Sequence, residues 1–496
     1  MQLQSCHICA MIMKGNTTKG MYVLAEKKTT GIFFTAILVM IAATNFTAMM
    51  NTTAVTILLP VFMREFQTDI ITTQWVVTAY ILATCTVAPV VGYLSDRISL
   101  KRTFLLAVSG FAISTLLLGL VNHIYPFIAL RVLQGIFGGM LMPLTQSMIY
   151  RLFPRQKQAQ AISIWATTNL LAPTLAPSLA GVISDLLSWR WIFFIEVPIL
   201  AAVLLAALRI LPADPVQKAQ HRFDLAGLLL SLAGSLCLLM AFSNITVWGL
   251  LSAPVLLLTI AGGVSLLLFF RLEGRKEFPL LYVKVFRYEG FLSSVVLLCV
   301  GSILINASNN ILPVFLQNVR GLTTTQAALV MLPAPLILMF VVPLMGKYYD
   351  RIGPQPLLYA ITAIGLIACL VLAQIDAGSA ILFIVAALIL RDIGSGSVNM
   401  PATNMGMQAI PTQYATHAAA VTSWIRQCVI SLTIGLSNTF QTARTNHYMT
   451  VYADTAEPLR YQLSYSHAMS ELFYLLTICF VVGLIAVYFS KSRRNG

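Results

Sequence analysis

Five charged side chains stand inside long apolar runs: Arg131, Glu196, Arg391, Asp392 and Arg426. A charge at membrane depth is costly, so each is read first as functional, with a partner to be found. Asp392 is the leading candidate to carry a proton. It stands about fourteen residues along its helix, roughly 20 Å deep. Arg391 beside it points about 100° away, so the acid could face a cavity while the arginine faces elsewhere. Glu196, in the outer half of its helix, comes second. A carboxyl in apolar surroundings takes up a proton, and a nearby arginine drives it off, which is the role expected of Arg131. The structural alternatives are a fixed pair of Asp392 with Arg131 or Arg426, and an Arg131 that snorkels to the interface. Enzyme chemistry has no comparable basis. There is no HExxH, GxSxG or P-loop, and none of the six histidines is paired at ligand spacing within an apolar run. Cys6 and Cys9 with His7 make half a metal site and no second pair follows, while the other six cysteines read as small buried hydrophobes. No catalytic residue, metal or cofactor is expected.

A second set of charges lies at the ends of apolar runs. Gly92 to Arg102 reads GYLSDRISLKR, and Gly346 to Gly353 reads GKYYDRIG. Asp96 stands beside Arg97, Lys101 and Arg102, and Asp350 beside Arg351. Such a carboxylate can pair with those cations or with the positive N-terminus of a neighbouring helix, and so latch one face of a bundle. A solvated basic loop that only fixes topology is the plainer alternative, but the acid as well as the base is kept in both copies. The copies are part of an internal repeat. Asp96 recurs after 254 residues as Asp350, Arg131 after 260 as Arg391, and Trp165 after 259 as Trp424. Three landmarks at nearly one offset argue for two homologous halves.

The elements that carry these residues must be membrane helices. The chain is 58% hydrophobic and only 10% charged, with a mean hydropathy of +0.83, too apolar for a soluble domain of this length. Its net charge of +14 sits in short loops, such as Arg151, Arg155 and Lys157, or Arg271, Arg275 and Lys276. That is the pattern of cytoplasmic loops and not of nucleic-acid binding. About fourteen runs reach spanning length. The expectation is an all-α polytopic membrane protein: a cytoplasmic segment 1–30, in which Met21 could be the true start, a six-helix half 31–211, two inserted helices at 224–271, and a second six-helix half 290–490. The first span is expected over 31–62, a long external loop over 438–468, and a basic cytoplasmic tail over 491–496. Lys27 and Lys28, with Lys491, Arg493 and Arg494, place both termini in the cytoplasm, and Lys218 and Arg222 mark a further inner loop.

Parallel six-helix halves are the pattern of major facilitator transporters, and the motifs make the resemblance specific. GYLSDRISLKR resembles that family's loop between the second and third helices. Arg131 to Gly139 resembles its intramembrane arginine motif, with Gln134 and Gly135. Ala172-Pro173 to Gly181, with Pro177, resembles its antiporter motif, where prolines would bend the helix and small residues let another pack closely; alanine stands at 172, 176 and 180 where glycine is usual. WRWIFFIEVP from Trp189 resembles the fourteen-span drug:proton antiporter branch. That branch normally has asparagine where this chain has Glu196, and aspartate where it has Asn51. One membrane acid is lost and another gained. An amide cannot carry a proton, so Asn51 is left a role in hydrogen-bonding substrate.

The resemblance implies proton-driven export of small, mostly apolar organic compounds across a bacterial inner membrane. It names substrate, protons and lipid as partners, together with the periplasmic adaptor and outer-membrane channel that branch members often use. A substrate cavity is expected from Asn51, Gln134, Trp165, Asn169, Asn399, Trp424 and Arg426, with Trp75 and methionines 49, 50, 140, 142, 400, 405 and 407 as soft apolar lining. Export of one dedicated metabolite, such as a siderophore, is the alternative within transport. A transport-inactive scaffold or sensor is the alternative outside it, weakened because costly intramembrane charges are kept.

Overall fold

The computed structural model describes residues 31–212, 224–249, 251–276, 282–457 and 459–490. Cys6, Cys9, Met21, Lys27, Lys28, Lys218, Arg222 and the tail 491–496 lie outside the described residues. The first half consists of α1 (Gly31–Ile57), α2 (Leu59–Phe66), α3 (Ile70–Ile98), α4 (Leu100–Leu120), α5 (Ile124–Leu152), α6 (Arg155–Leu186) and α7 (Arg190–Ile210). The inserted pair is α8 (Leu225–Trp248) and α9 (Ala253–Arg275). The second half consists of α10 (Phe291–Val314), α11 (Thr324–Met331), α12 (Pro333–Ile352), α13 (Pro354–Leu372), α14 (Ile381–Arg391), α15 (Asn399–Gln408), α16 (Ala415–Val451) and α17 (Leu459–Phe489). Among the described residues, eleven helical stretches are long and apolar enough to cross a membrane, and α3, bent beyond Val87, makes a twelfth. The chain is a polytopic, all-helical membrane protein, as lipid requires of a backbone that must satisfy its own hydrogen bonds.

Local signals set the helix ends. Pro254, Pro333 and Pro354 stand in the first turns of α9, α12 and α13, where a missing N–H goes unnoticed. Thr323 and Gln326 form a capping box on α11. Ser99 accepts from the Arg102 N–H and caps α4. Two expected boundaries are corrected. The first span does not run to 62: α1 ends at Ile57 and α2 starts afresh at Leu59, because Pro60 has no N–H to continue the ladder. The segment 438–468 is not a long loop. It is almost all helix, interrupted only between Val451 and Leu459. Its polar residues bond one another across α16 and α17: Arg444 to Glu471 at 2.6 Å, Tyr448 to Glu471 at 2.7 Å, and Gln441 to the Tyr465 carbonyl at 3.0 Å.

The halves repeat each other in packing. α1 lies along α6 as α10 lies along α16, and the halves meet on two seams, α3 against α16 and α6 against α12. The inserted helices form a hairpin, and α8 covers the first seam by lying on both α3 and α16. Lys276 closes the hairpin's base on Asp224 and on Glu273, the latter at 3.1 Å. Gly435 of α16 is what lets α8 come so near, since a methyl group there would overlap the Phe242 carbonyl.

Candidate functional site

Five helices of the first half bring polar groups to one buried place, about 10 Å in from the end opposite the motif loops. Asn51 comes from α1, Glu196 from α7, Arg131 and Gln134 from α5, Thr115 from α4, and Tyr80 with the Val76 carbonyl from α3. Asn51, Arg131, Gln134 and Thr115 have no exposed surface, and Glu196 has 1%. The Arg131 Nη1–H donates to Asn51 Oδ1 at 2.6 Å and to Gln134 Oε1 at 2.5 Å, and Nε–H donates to the Val76 carbonyl at 3.0 Å. The guanidinium lies 4.1 Å from the Tyr80 ring centre. Asn51 Nδ2–H then donates to Glu196 Oε2 at 3.0 Å. Because a guanidinium only donates, Asn51 must turn its oxygen to Arg131 and its NH2 to Glu196. The amide thus bridges an arginine and an acid that do not touch. Glu196 Oε1 and Arg131 Nη2 are buried and have no hydrogen-bond partner among the described residues. Gly135 keeps α5 this close to α3, because a Cβ there would come within 2.6 Å of the Tyr80 carbonyl.

The arginine of the second half is arranged otherwise. Asp392 does not face away from Arg391. Arg391 Nε–H and Nη2 hold Asp392 Oδ1 at 2.9 and 2.7 Å, and Nη1–H donates to Asn309 at 3.0 Å. The helix passes into a π-turn over Asp392–Gly396. That changes the angle between successive side chains, and the long arginine folds back onto its neighbour. Asp392 is therefore already paired.

At the motif end the halves are tied. His417, third residue of α16, meets Asp96 Oδ2 at 2.7 Å through Nε2, and the Tyr282 N–H donates to its Nδ1 at 3.4 Å. Gly92 gives the imidazole room, since a Cβ there would overlap it. Arg151 stands 3.8 Å from Asp96 Oδ1 and donates to the Gln413 carbonyl at 3.0 Å. Ser147 and Thr416 close the seam at 2.6 Å. The neighbouring cations are not the partners of Asp96. Arg97 turns back to its own Tyr93 at 2.8 Å, Lys101 binds the Leu208 and Leu211 carbonyls at the end of α7 at 2.9 and 2.7 Å, and Arg102 is exposed. At the second seam Gly346 would press a Cβ to 3.1 Å from Ser163 Oγ, but Asp350 and Arg351 are exposed and form no hydrogen bond or ion pair among the described residues. Gln158, which stands 259 residues before His417, is spent on the Tyr150 and Phe153 carbonyls at 3.2 and 3.1 Å.

The expected cavity residues separate into four groups. Asn51 and Gln134 belong to the buried network. Trp165 bonds Thr145 at 3.1 Å, and Asn169 accepts from Asn45. Trp424 is not in a cavity: it is sealed against the inserted hairpin, donating to Ser235 at 2.8 Å and meeting Phe270 edge-on. Asn399 and Arg426 keep some accessible surface, and Asn399 donates to the Gly396 carbonyl at 3.3 Å. Met50, Met140, Met400, Met405 and Met407 are buried in packing, and Trp75 is exposed. Pro173 and Pro177 do not break α6, which is continuous from Arg155 to Leu186. Its close-packed stripe is Ala172, Ala176 and Ala180, all fully buried, whereas a Cβ at Gly181 would meet nothing. His417 escaped the sequence reading because no motif marks it; the only signal was its place at the start of a helix, where a carboxylate from another half would dock.

Comparison with known proteins agrees with the all-helical fold. The Major Facilitator Superfamily model matches residues 41–434. The chain belongs to the Major Facilitator Superfamily. Members of this superfamily are transporters and not enzymes. Among its relatives, the lincomycin resistance protein LmrB of Listeria monocytogenes is 27% identical over 451 residues, 91% of this chain and 95% of that protein. The uncharacterized MFS-type transporter YhcA of Bacillus subtilis is 27% identical over 456 residues, 91% and 85% of the two chains. The multidrug export protein EmrB of Escherichia coli is 27% identical over 334 residues, 67% and 65% of the two. The solved proton:xylose symporter XylE shares the fold, with a TM-score of 0.61 at 14% identity over 91% of this chain and 95% of that one.

Proposed function

We propose that this transporter exports small, mostly apolar organic compounds across the bacterial inner membrane in exchange for protons, with about fourteen spans and both termini cytoplasmic. Glu196 carries the proton. The observation that supports this most is the Arg131–Asn51–Glu196 chain, which leaves one carboxylate oxygen free for a proton at a buried place. In the branch that the motifs resemble, the acid stands on α1 and the amide on α7. Here the two have changed places across one hydrogen bond, so the titratable group is relocated and not lost. The amide keeps Arg131 at one remove from the carboxylate. A proton on Glu196 then relieves a buried charge without leaving Arg131 bare, because Asn51 and Gln134 still accept from it.

The motif end supplies the gate. Hydrogen bonds between the halves cluster there, and in this reading that end is cytoplasmic, so the described state is closed to the cytoplasm. Rocking would break Asp96–His417 and open the cavity inward. Names of relatives such as lincomycin resistance protein and multidrug export protein support drugs as the cargo class. The test is flux of a lipophilic dye into everted vesicles under an imposed pH gradient. Glu196→Gln should abolish gradient-driven uptake while leaving dye binding intact. Full coupling in that variant would remove Glu196 from the mechanism.

A further inference from the structure

The deep charges of the bundle do not balance. Arg131 reaches Glu196 through Asn51. Arg391 grips Asp392. Nearer the surface, Arg444 holds Glu471, with Nη2 to Oε1 at 2.6 Å. Arg426 has no acid and no hydrogen bond among the described residues. It is the twelfth residue of α16, about 16 Å from the start of that helix. Two residues earlier, Trp424 faces the inserted hairpin through Ser235. At about 100° per residue, Arg426 lies some 200° further round, on the face turned away from the hairpin. Its side chain is near Cys299 of α10. It lies deep among other helices but is only half-buried. Together these mean that it borders an interior space and is not closed in by packing.

We propose that this interior space takes an organic anion and that Arg426 is the group that meets its negative charge. An arginine held at membrane depth without an acid is stable only if something of opposite sign comes to it. Its planar fork fits a carboxylate or sulfonate better than a point cation would. Cys299 beside it is a small, weakly polar side chain, and the cargo would be an apolar body with one acidic group. This inference rests on the export reading above and narrows its substrate class. It also changes the energetics. Sending one anion out while one proton comes in moves two charges in the same electrical sense, so the membrane potential as well as the pH gradient would drive transport.

The experiment uses two fluorescent probes with one aromatic body, pyrenesulfonate and pyrenylmethyl-trimethylammonium, in proteoliposomes of the full chain in chloride-free buffer. The sulfonate should be transported at least about tenfold faster, equivalent to about 1.4 kcal/mol of preference. Arg426→Gln should remove that preference, and Arg426→Lys should restore part of it. An imposed potential without a pH gradient should speed the sulfonate. Faster transport of the cation, or a preference unchanged in Arg426→Gln, overturns the proposal. Should that variant fail to insert, the preference of the wild-type protein decides alone. Movement of neither probe under a pH gradient overturns the export reading on which the proposal stands.

Discussion

Arg131 and Arg391 occupy matching places in the two halves, 260 residues apart, and both are buried, yet their charges are met differently. Arg391 is gripped by the residue next to it. Arg131 reaches an acid on another helix, and only through an amide. A direct pair of this kind is fixed, because removing either charge strands the other in low dielectric. A bridged pair tolerates a change of charge at one end. The same inequality recurs at the motif loops. Asp96 crosses to His417, while Asp350, its copy, stays in solvent. A repeated sequence has therefore left matching charges in different bonds in the two halves.

The largest effect should come from moving the acid. If the bridge matters and not the helix that carries the carboxylate, then Asn51→Asp with Glu196→Gln should stay proton-coupled, although Glu196→Gln alone loses coupling. The double variant restores the order of acid and amide that the branch resemblance implies. Dye flux against an imposed pH gradient measures it. A double variant as dead as the single one would mean that Glu196 acts through its place on α7 and not through the network.

Next is Asp392→Asn. It leaves Arg391 without its carboxylate, at a cost of about 3–5 kcal/mol. Expression and thermal stability in detergent should fall sharply, while the protein that does insert should still couple transport to the pH gradient. Loss of coupling at normal stability would break the contrast between the halves and return the proton to Asp392.

The motif loops give a smaller, graded comparison. Asp96→Asn weakens a charge-assisted bond worth about 1.5–3 kcal/mol, so the motif-end-closed population should fall by about tenfold or more. Asp350→Asn, with no partner to lose, should change it little. Labelling of a cysteine placed at Gln413 reads that population in both. Equal effects would mean that Asp350 finds a partner in another state of the cycle.

The sequence makes some of this legible and hides the rest for physical reasons. Apolar runs and the repeat announce the all-helical, two-half fold. Asn51 and Glu196 each stand out as departures from a motif, but their contact spans 145 residues and no periodicity carries it. The ideal angle of 100° sends Asp392 away from Arg391, and the π-turn that defeats this has no signature in IGSG. The run 438–468 looks like a loop because its polar residues are satisfied by the partner helix and not by water.

The smallest predicted effect concerns Ser99, which ends the latched loop with φ at +86°. Gly353, at the matching place in the unlatched loop, has φ at +82°. Only glycine adopts this backbone without strain, and the cost to another residue is on the order of 1–3 kcal/mol. Ser99 keeps one benefit, because its hydroxyl caps α4 at the Arg102 N–H, 3.4 Å away. Replacing a serine cap with glycine costs only a few tenths of a kcal/mol. Ser99→Gly should therefore stabilise the protein by about 1 kcal/mol, seen as a higher melting temperature in detergent. Transport should be unchanged if the strain is incidental. If stability rises and transport slows, the strain belongs to the latch: it would keep the Asp96 loop ready to let go of His417, a readiness that the glycine in the second loop neither has nor needs. A lower melting temperature would show that the cap outweighs the backbone, and the two loops would then differ by their hydrogen bonds alone.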